Sequence, residues 1–259
     1  MKRSANIVNN TVPYAAAVLF LAIWETGVRW GQVPPYILPS PSQIIITMIS
    51  MFPTLLNHAG RTLEEALIGF AAAVVIAFCS AFVLNYSKVL YQAVHPLLIV
   101  SQTIPIITLA PLFVIWFGWG ILPKVLVVIL VCFFPIVISF LEGLRGVDQD
   151  LINLFKSMGA KRTTIFRMVE MPAALPAFFA GLKISASYSI MAAVIGEWLG
   201  AQQGLGYFMT ITQKSFRVDR VLAAVVLIAL LSLLLVKAVD VLEWILTPWN
   251  RGLQSWDID

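Results

Sequence analysis

The chain has 259 residues, of which 60% are hydrophobic and 12% charged, against ~45–50% apolar and ~25% charged residues in a soluble domain. Together with a mean hydropathy of +0.90, this excludes a soluble globular enzyme and describes an all-α polytopic membrane protein. The formal charge of +4 is scattered between apolar runs, as a positive-inside bias would leave it, and does not form a nucleic-acid surface.

A spanning helix needs ~20 predominantly apolar residues. About six stretches meet that length, near 13–30, 62–86, 91–117, 121–144, 173–198 and 221–246. The first follows Lys2 and Arg3 without a closing small-residue cleavage site and is predicted to be a retained helix, not a signal peptide. Gly31–Gly60 is proline-rich and then apolar for too short a run to span, which predicts an interfacial helix near 41–52 on the outer surface. The third stretch contains Pro96, Pro105 and Pro111, so a kinked or broken helix is expected. Gln102, Thr103 and Thr108 lie in it and either line a path or satisfy the freed backbone groups.

The fifth stretch is rich in small residues (Ser185, Ala186, Ser187, Ser189, Ala192, Ala193), which suits close helix packing around a dimer axis, along a cavity or within one subunit. It ends at Glu197 and Trp198 among Gly196, Gly200, Gly204 and Gly206. Glu197 either lines a translocation path or gate, together with Gln102 and Ser187, or is a water-facing acid beside an interfacial tryptophan. Residues 199–220 are predicted to be an outer loop with at most a short helix.

With both termini inside, Lys2, Arg3, Lys88, Arg145, Lys156, Lys161, Arg162, Arg167 and Arg251 are cytoplasmic, and Arg29, Arg61, Lys124, Lys214, Arg217 and Arg220 are external. Cys79 and Cys132 sit alone in apolar runs and read as small hydrophobes. His58 and His95 lie at helix ends without a metal-ligand set. No repeat or composition break divides the chain, so residues 1–259 are read as one transmembrane domain.

Arg145–Pro172 is a charged island between two long apolar stretches. Leu151, Leu154, Phe155 and Met158 recur at i, i+3, i+4 and i+7, giving one apolar face, with Asp150, Asn153 and Lys156 opposite. Gly159 breaks that helix. Thr163 or Thr164 is placed to cap a second one, with Ile165, Phe166 and Val169 on its apolar side and Pro172 at its end. The pattern alone leaves open a docking surface for a cytoplasmic partner or a helical hairpin lying on lipid.

Gly159 followed by Val169, Met171 and Pro172 resembles the Gly…Ile-x-Leu-Pro end of the loop that permeases of ATP-driven (ABC) importers carry between membrane helices. Asn153-Leu154-Phe155 stand where that family usually has Glu-Ala-Ala. Leu38-Pro39-Ser40-Pro41-Ser42 and Gly196-Glu197-Trp198-Leu199-Gly200 are similar to the branch serving sulfonate, taurine, nitrate and thiamine-precursor uptake. Within it, Gln102-Thr103-Ile104-Pro105 and Trp116-Phe117-Gly118 look most like permeases for the pyrimidine precursor of thiamine.

The resemblance implies a type I importer fold in the bacterial plasma membrane, acting as a homodimer with two ATPase subunits and an extracytoplasmic substrate-binding protein. Leu154, Phe155, Met158, Gly159, Ala160, Lys161, Arg162, Phe166 and Pro172 would then couple to the ATPase. ATP and Mg would belong to that partner, since this chain has no GxxxxGK[ST] and no cofactor of its own is expected. An ion-coupled secondary transporter would need ionisable groups near mid-membrane; Lys183 and Lys237 are the nearest cases. An intramembrane hydrolase would need an HExxH or Ser/His set, and neither is present in the sequence.

Overall fold

The computed structural model describes residues 2–249, without the side chains of residues 2–11 and 13. Lys2, Arg3 and Arg251, counted above for orientation, lie outside the described side chains. Helix α1 (Lys2–Trp30) is joined by an extended segment to the short α2 (Pro41–Ser50). The Pro-Ser-Pro-Ser signature explains that start: Pro41 occupies the first helical turn, and Ser40 and Gln43 form a reciprocal capping box. Glu25 of α1 accepts from the Ser42 N–H at 3.0 Å and hydroxyl at 2.8 Å while pairing with Arg29, which ties α1 to the positive end of α2.

The long α3 (Phe52–Tyr86) follows at once, starting ten residues before the expected 62. The expected break occurs in the third apolar stretch: α4 (Lys88–Ser101) and α5 (Ile106–Phe117) meet at 99° on either side of Pro105. Pro96 and Pro111 stay inside their helices. The hydroxyls of Thr103 and Thr108 bond to the Val100 and Pro105 carbonyls at 2.7 and 2.6 Å, adding to the turn bonds from their own N–H groups on either side of the bend.

Helices α6 (Leu122–Arg145), α9 (Met171–Glu197) and α11 (Val218–Leu246) complete the bundle, with α10 (Leu205–Lys214) between the last two. Among the described residues four helices are long and apolar enough to span a bilayer, or five if the bent α4–α5 pair counts as one span. Helix α1 covers the expected first stretch, 13–30, and exposes the apolar side chains of Val18, Leu19, Phe20, Leu21 and Ile23 before reaching Glu25 and Arg29.

The most extensive pairing is α6 on α9, with α3 on α6 next. Small residues make it. Added Cβ atoms at Gly143 and Gly181 would run into Ala174, Ala177, Pro135 and Ser139, and one at Gly69 into Val128. The Ser185 hydroxyl donates to the Cys132 carbonyl at 2.9 Å across the same crossing. The small-residue face of α9 therefore packs within one chain, where buried Ala186, Ser189, Ala192 and Ala193 lie.

The charged island folds as α7 (Gln149–Ser157), a tight bend at Gly159 (φ 80°), then α8 (Arg162–Ile165). Asp148 caps α7 by accepting the Asp150 N–H at 2.9 Å. Neither Thr163 nor Thr164 caps α8; Lys161 occupies that position without a side-chain bond. Pro172 does not end the unit either. A π turn (Phe166–Glu170) fuses α8 to α9, and the Met171 N–H reaches back five residues to the Phe166 carbonyl. The widened turn accommodates a proline that cannot donate, so Arg162–Glu197 runs as one 36-residue helix.

Candidate translocation path and coupling surface

The bend at Pro105 opens a cavity of about 440 Å³ between α4–α5 and the faces of α6 and α9. Gln102 and Ser101 from the break, Phe134 and Pro135 from α6, and Tyr188 and Met191 from α9 are among its walls. The lining has no carboxylate, ammonium, guanidinium or imidazole. Gln102, selected from sequence, is there. Ser187 is not: it is exposed and donates to the Lys183 carbonyl at 3.1 Å. Tyr188, Met191 and Phe134 were missed because nothing local marks them; the bend decides which face of α6 and α9 is left open.

Glu197 also lies elsewhere. It is 1% exposed, at the far end of α9 from the charged island. Its carboxylate accepts from the Thr62 hydroxyl of α3 at 2.6 Å and from the Gly206 N–H at the start of α10 at 2.6 Å. Thr62 in turn accepts the Leu205 N–H at 2.8 Å, and His58 Nδ1 accepts the Gly204 N–H at 3.2 Å. Three successive N–H groups of a helix start, which have no intrahelical partner, are thus satisfied by α3 and α9. Gly204 (φ 117°) is required twice, by its backbone and because a Cβ would overlap the Glu197 carboxylate. The reading of a water-facing interfacial acid is corrected: this glutamate is buried and fastens α10, while its neighbour Trp198 is exposed.

Beside it sits a second polar cluster. Glu65 of α3 is buried and paired with Lys124 of α6 at 2.9 Å and with Arg61 at 3.2 Å. Lys124, read above as a loop cation, is 7% exposed. Arg61 and Lys124 also border a wide mouth of about 570 Å³ with Trp119, Gly200, Gln202 and Gln203. The sequence signal was an acid one helical turn after Arg61 in an otherwise apolar helix. His95 stacks on Tyr91 with ring centroids 4.7 Å apart, a packing role.

At the opposite end the apolar face predicted on the charged island is divided. Leu151, Leu154 and Met158 are exposed, the last two at 55% and 75%. Phe155 turns inward with Ala160 against Ile152, Ile165 and Val169. Phe166 packs edge-on to Phe82 of α3 at 5.3 Å. A Cβ at Gly159 would meet nothing within 4 Å, so the bend projects into open space, flanked by exposed Lys161 and Arg162. Pro172 is half-buried in the first turn of α9.

A family model described as the binding-protein-dependent transport system inner membrane component matches residues 67–252. The chain belongs to that family. Among its relatives, the formylaminopyrimidine transport permease protein ThiX of Halalkalibacterium halodurans is 38% identical, covering 97% of this chain and 99% of that one. The riboflavin transport system permease protein RibX of Chloroflexus aurantiacus is 35% identical over 91% of this chain and 88% of its own. The taurine transport system permease protein TauC of Escherichia coli is 28% identical over 94% and 91%. Among solved structures, an inward-facing conformation of the MetNI methionine ABC transporter superposes with a TM-score of 0.65 at 21% identity, covering 75% of this chain and 96% of that one. That likeness gives the fold, the type I importer permease. The protein is thus the multi-pass permease subunit of an ABC importer, and ATP hydrolysis belongs to separate subunits of such systems.

Proposed function

We propose that this permease carries a small, uncharged heteroaromatic solute, with a pyrimidine precursor of thiamine as the best assignment. The observation that carries the reading is the lining of the cavity of about 440 Å³: apolar walls, the Tyr188 ring and the Gln102 amide, which has no partner among the described residues, with no fixed charge. A flat ring stacks on such walls, and an amide offers both a donor and an acceptor to a pyrimidine edge. A sulfonate, taurine or nitrate would instead bring a desolvated anionic group past a wall without a cation, at several kcal/mol. The similarity to ThiX points the same way, and riboflavin, also uncharged and aromatic, is the nearest rival.

In this reading two copies pair with two ATPase subunits that bind ATP and Mg, and with an extracytoplasmic binding protein. Residues 1–259 act as one domain, with both termini and the Gly159 bend cytoplasmic and α2 and α10 external. Closure of the ATPases presses on Leu154, Met158 and Gly159, with Lys161 and Arg162 at the rim. The α8–α9 helix conveys that movement to the cavity it lines, giving alternating access. Phe155, Ala160, Phe166 and Pro172 support the surface from inside instead of filling a groove.

The test is uptake by proteoliposomes containing the complete importer. Radiolabelled formylaminopyrimidine should accumulate on ATP addition, and excess taurine, alkanesulfonate or nitrate should not compete. Competition by taurine but not by the pyrimidine would refute the assignment.

A further inference from the structure

At the coupling-loop end, away from the path, a cavity of about 250 Å³ opens between the last turn of α3 and the α8–π segment. Asn85, Tyr86, Arg162, Thr163 and Arg167 supply its polar groups, and Phe82 one wall. Its floor is built. Glu170, 2% exposed, accepts from Asn85 Nδ2 at 3.3 Å and pairs with Arg162. That carboxylate balances one guanidinium, while Arg167 is exposed and has no ionic partner among the described residues. The cavity therefore carries one net positive charge, and the Tyr86 and Thr163 hydroxyls have no hydrogen-bond partner among the described residues.

An apolar stripe runs up α3 from the rim. Val75, Cys79, Phe82 and Tyr86 are all exposed and stand at i, i+4, i+7 and i+11, a single helix face. At 1.5 Å per residue the stripe is about 16 Å long, half the ~30 Å hydrocarbon core of a bilayer. A free phosphate would use the cationic cup and leave the stripe idle. A dianionic ligand would exceed the charge available. A phosphodiester with an acyl chain uses both features, its oxygens meeting guanidinium and hydroxyl donors.

We propose that this cavity binds the headgroup of an anionic phospholipid bearing one negative charge, with an acyl chain laid along Val75, Cys79 and Phe82. The site depends on bilayer placement alone and is independent of the solute carried.

The full-length chain is placed in nanodiscs of equal phosphatidylglycerol and phosphatidylcholine, and the lipid retained on release is counted by native mass spectrometry. Phosphatidylglycerol should be enriched, and Arg167→Gln should lower that enrichment about fivefold, the worth of one cation at an anionic surface. Tyr86→Ala should lower it less. Both positions are exposed, so the melting temperature in pure phosphatidylcholine should stay unchanged in both variants. Millimolar inorganic phosphate should not displace the lipid. Equal retention of the two lipids, unchanged enrichment in Arg167→Gln, or full displacement by inorganic phosphate would each overturn the proposal. So would loss of ATPase binding in Arg167→Gln with lipid enrichment intact, which would give the cavity to the protein partner.

Discussion

Replacing Glu197 by alanine should loosen the bundle rather than simply slow transport. The carboxylate takes two hydrogen bonds, each 2.6 Å long, from Thr62 and the Gly206 N–H. Removing it strands the Gly206 N–H, leaves the Thr62 hydroxyl only the longer bond to the His58 carbonyl at 3.3 Å, and opens a cavity under α10. Hydrogen bonds to charged groups are worth about 1.5–3 kcal/mol in soluble proteins, but interhelical bonds in membranes average about 0.6 and reach about 1.7. The lower scale applies to the Thr62 bond between α3 and α9, and the higher one to the N–H of a helix start. Together they give about 2–5 kcal/mol, or a melting temperature lower by roughly 4–20 °C. Glu197→Gln keeps one acceptor but turns its amide NH₂ toward the other donor, so it should fall between wild type and alanine. Thr62→Val should resemble Glu197→Gln, because it also strands the Leu205 N–H. Thermal unfolding followed by fluorescence-detected size exclusion in detergent measures the series, with uptake measured on whatever remains folded. If Glu197→Ala melts within 2 °C of wild type and only uptake falls, the carboxylate acts on the passing solute and the fastening argument is wrong.

Three other outcomes follow from the same geometry. Leu154→Asp or Met158→Asp should abolish pull-down of the ATPase without changing the melting temperature, whereas Phe155→Asp should destabilise the loop itself by several kcal/mol, since it places a charge against Ile152, Ile165 and Val169; equal melting of all three would show that Phe155 is not packed inward. Lys124→Met leaves Glu65 buried without its closest cation and should cost about 3–5 kcal/mol, with the double variant Glu65→Leu/Lys124→Met recovering most of it, as read from the yield of folded protein. Cysteines placed at Lys161 and Gln43, in a background lacking Cys79 and Cys132, should be labelled by an impermeant thiol reagent from outside only at Gln43; the reverse pattern would invert the topology and remove the coupling role.

What the sequence made legible divides along physical lines. Periodicity and apolar length located α6, α9 and α11 to within a few residues, because a spanning helix must be apolar on all sides and long enough for the bilayer. The three prolines of the third stretch predicted a break, and the structure puts it at Pro105 while Pro96 and Pro111 stay inside helices. Contacts between helices distant in sequence were not legible. Glu197 looked like a free acid because its partners, Thr62 and the α10 backbone, come from 135 and nine positions away. Lys124 looked like a loop cation because Glu65 lies 59 residues earlier. Phe155 and Leu154 are neighbours on one apolar arc, and only the packing of α7 against α8 decides which points in.

The misread position of Pro172 has the largest mechanical consequence. A helix ending there would separate the charged island from the fifth span by a hinge, and a push on Gly159 would be absorbed by the hinge. Because the π turn keeps backbone hydrogen bonds running through Met171, the island's second helix and the span are one body, 36 residues and about 54 Å long. That body begins at the surface proposed to dock the ATPase, borders the cavity at Tyr188 and Met191, and ends at the Glu197 fastener. Force applied at Met158 and Gly159 therefore reaches the cavity wall as a rigid displacement of α9. It also reaches α3, through the contact of Phe166 with Phe82 and of Glu197 with Thr62. A helix-breaking Gly-Gly insertion after Glu170 should then leave the ATPase bound and hydrolysing while uptake is lost, and preserved uptake in that variant would show that the movement travels by another route.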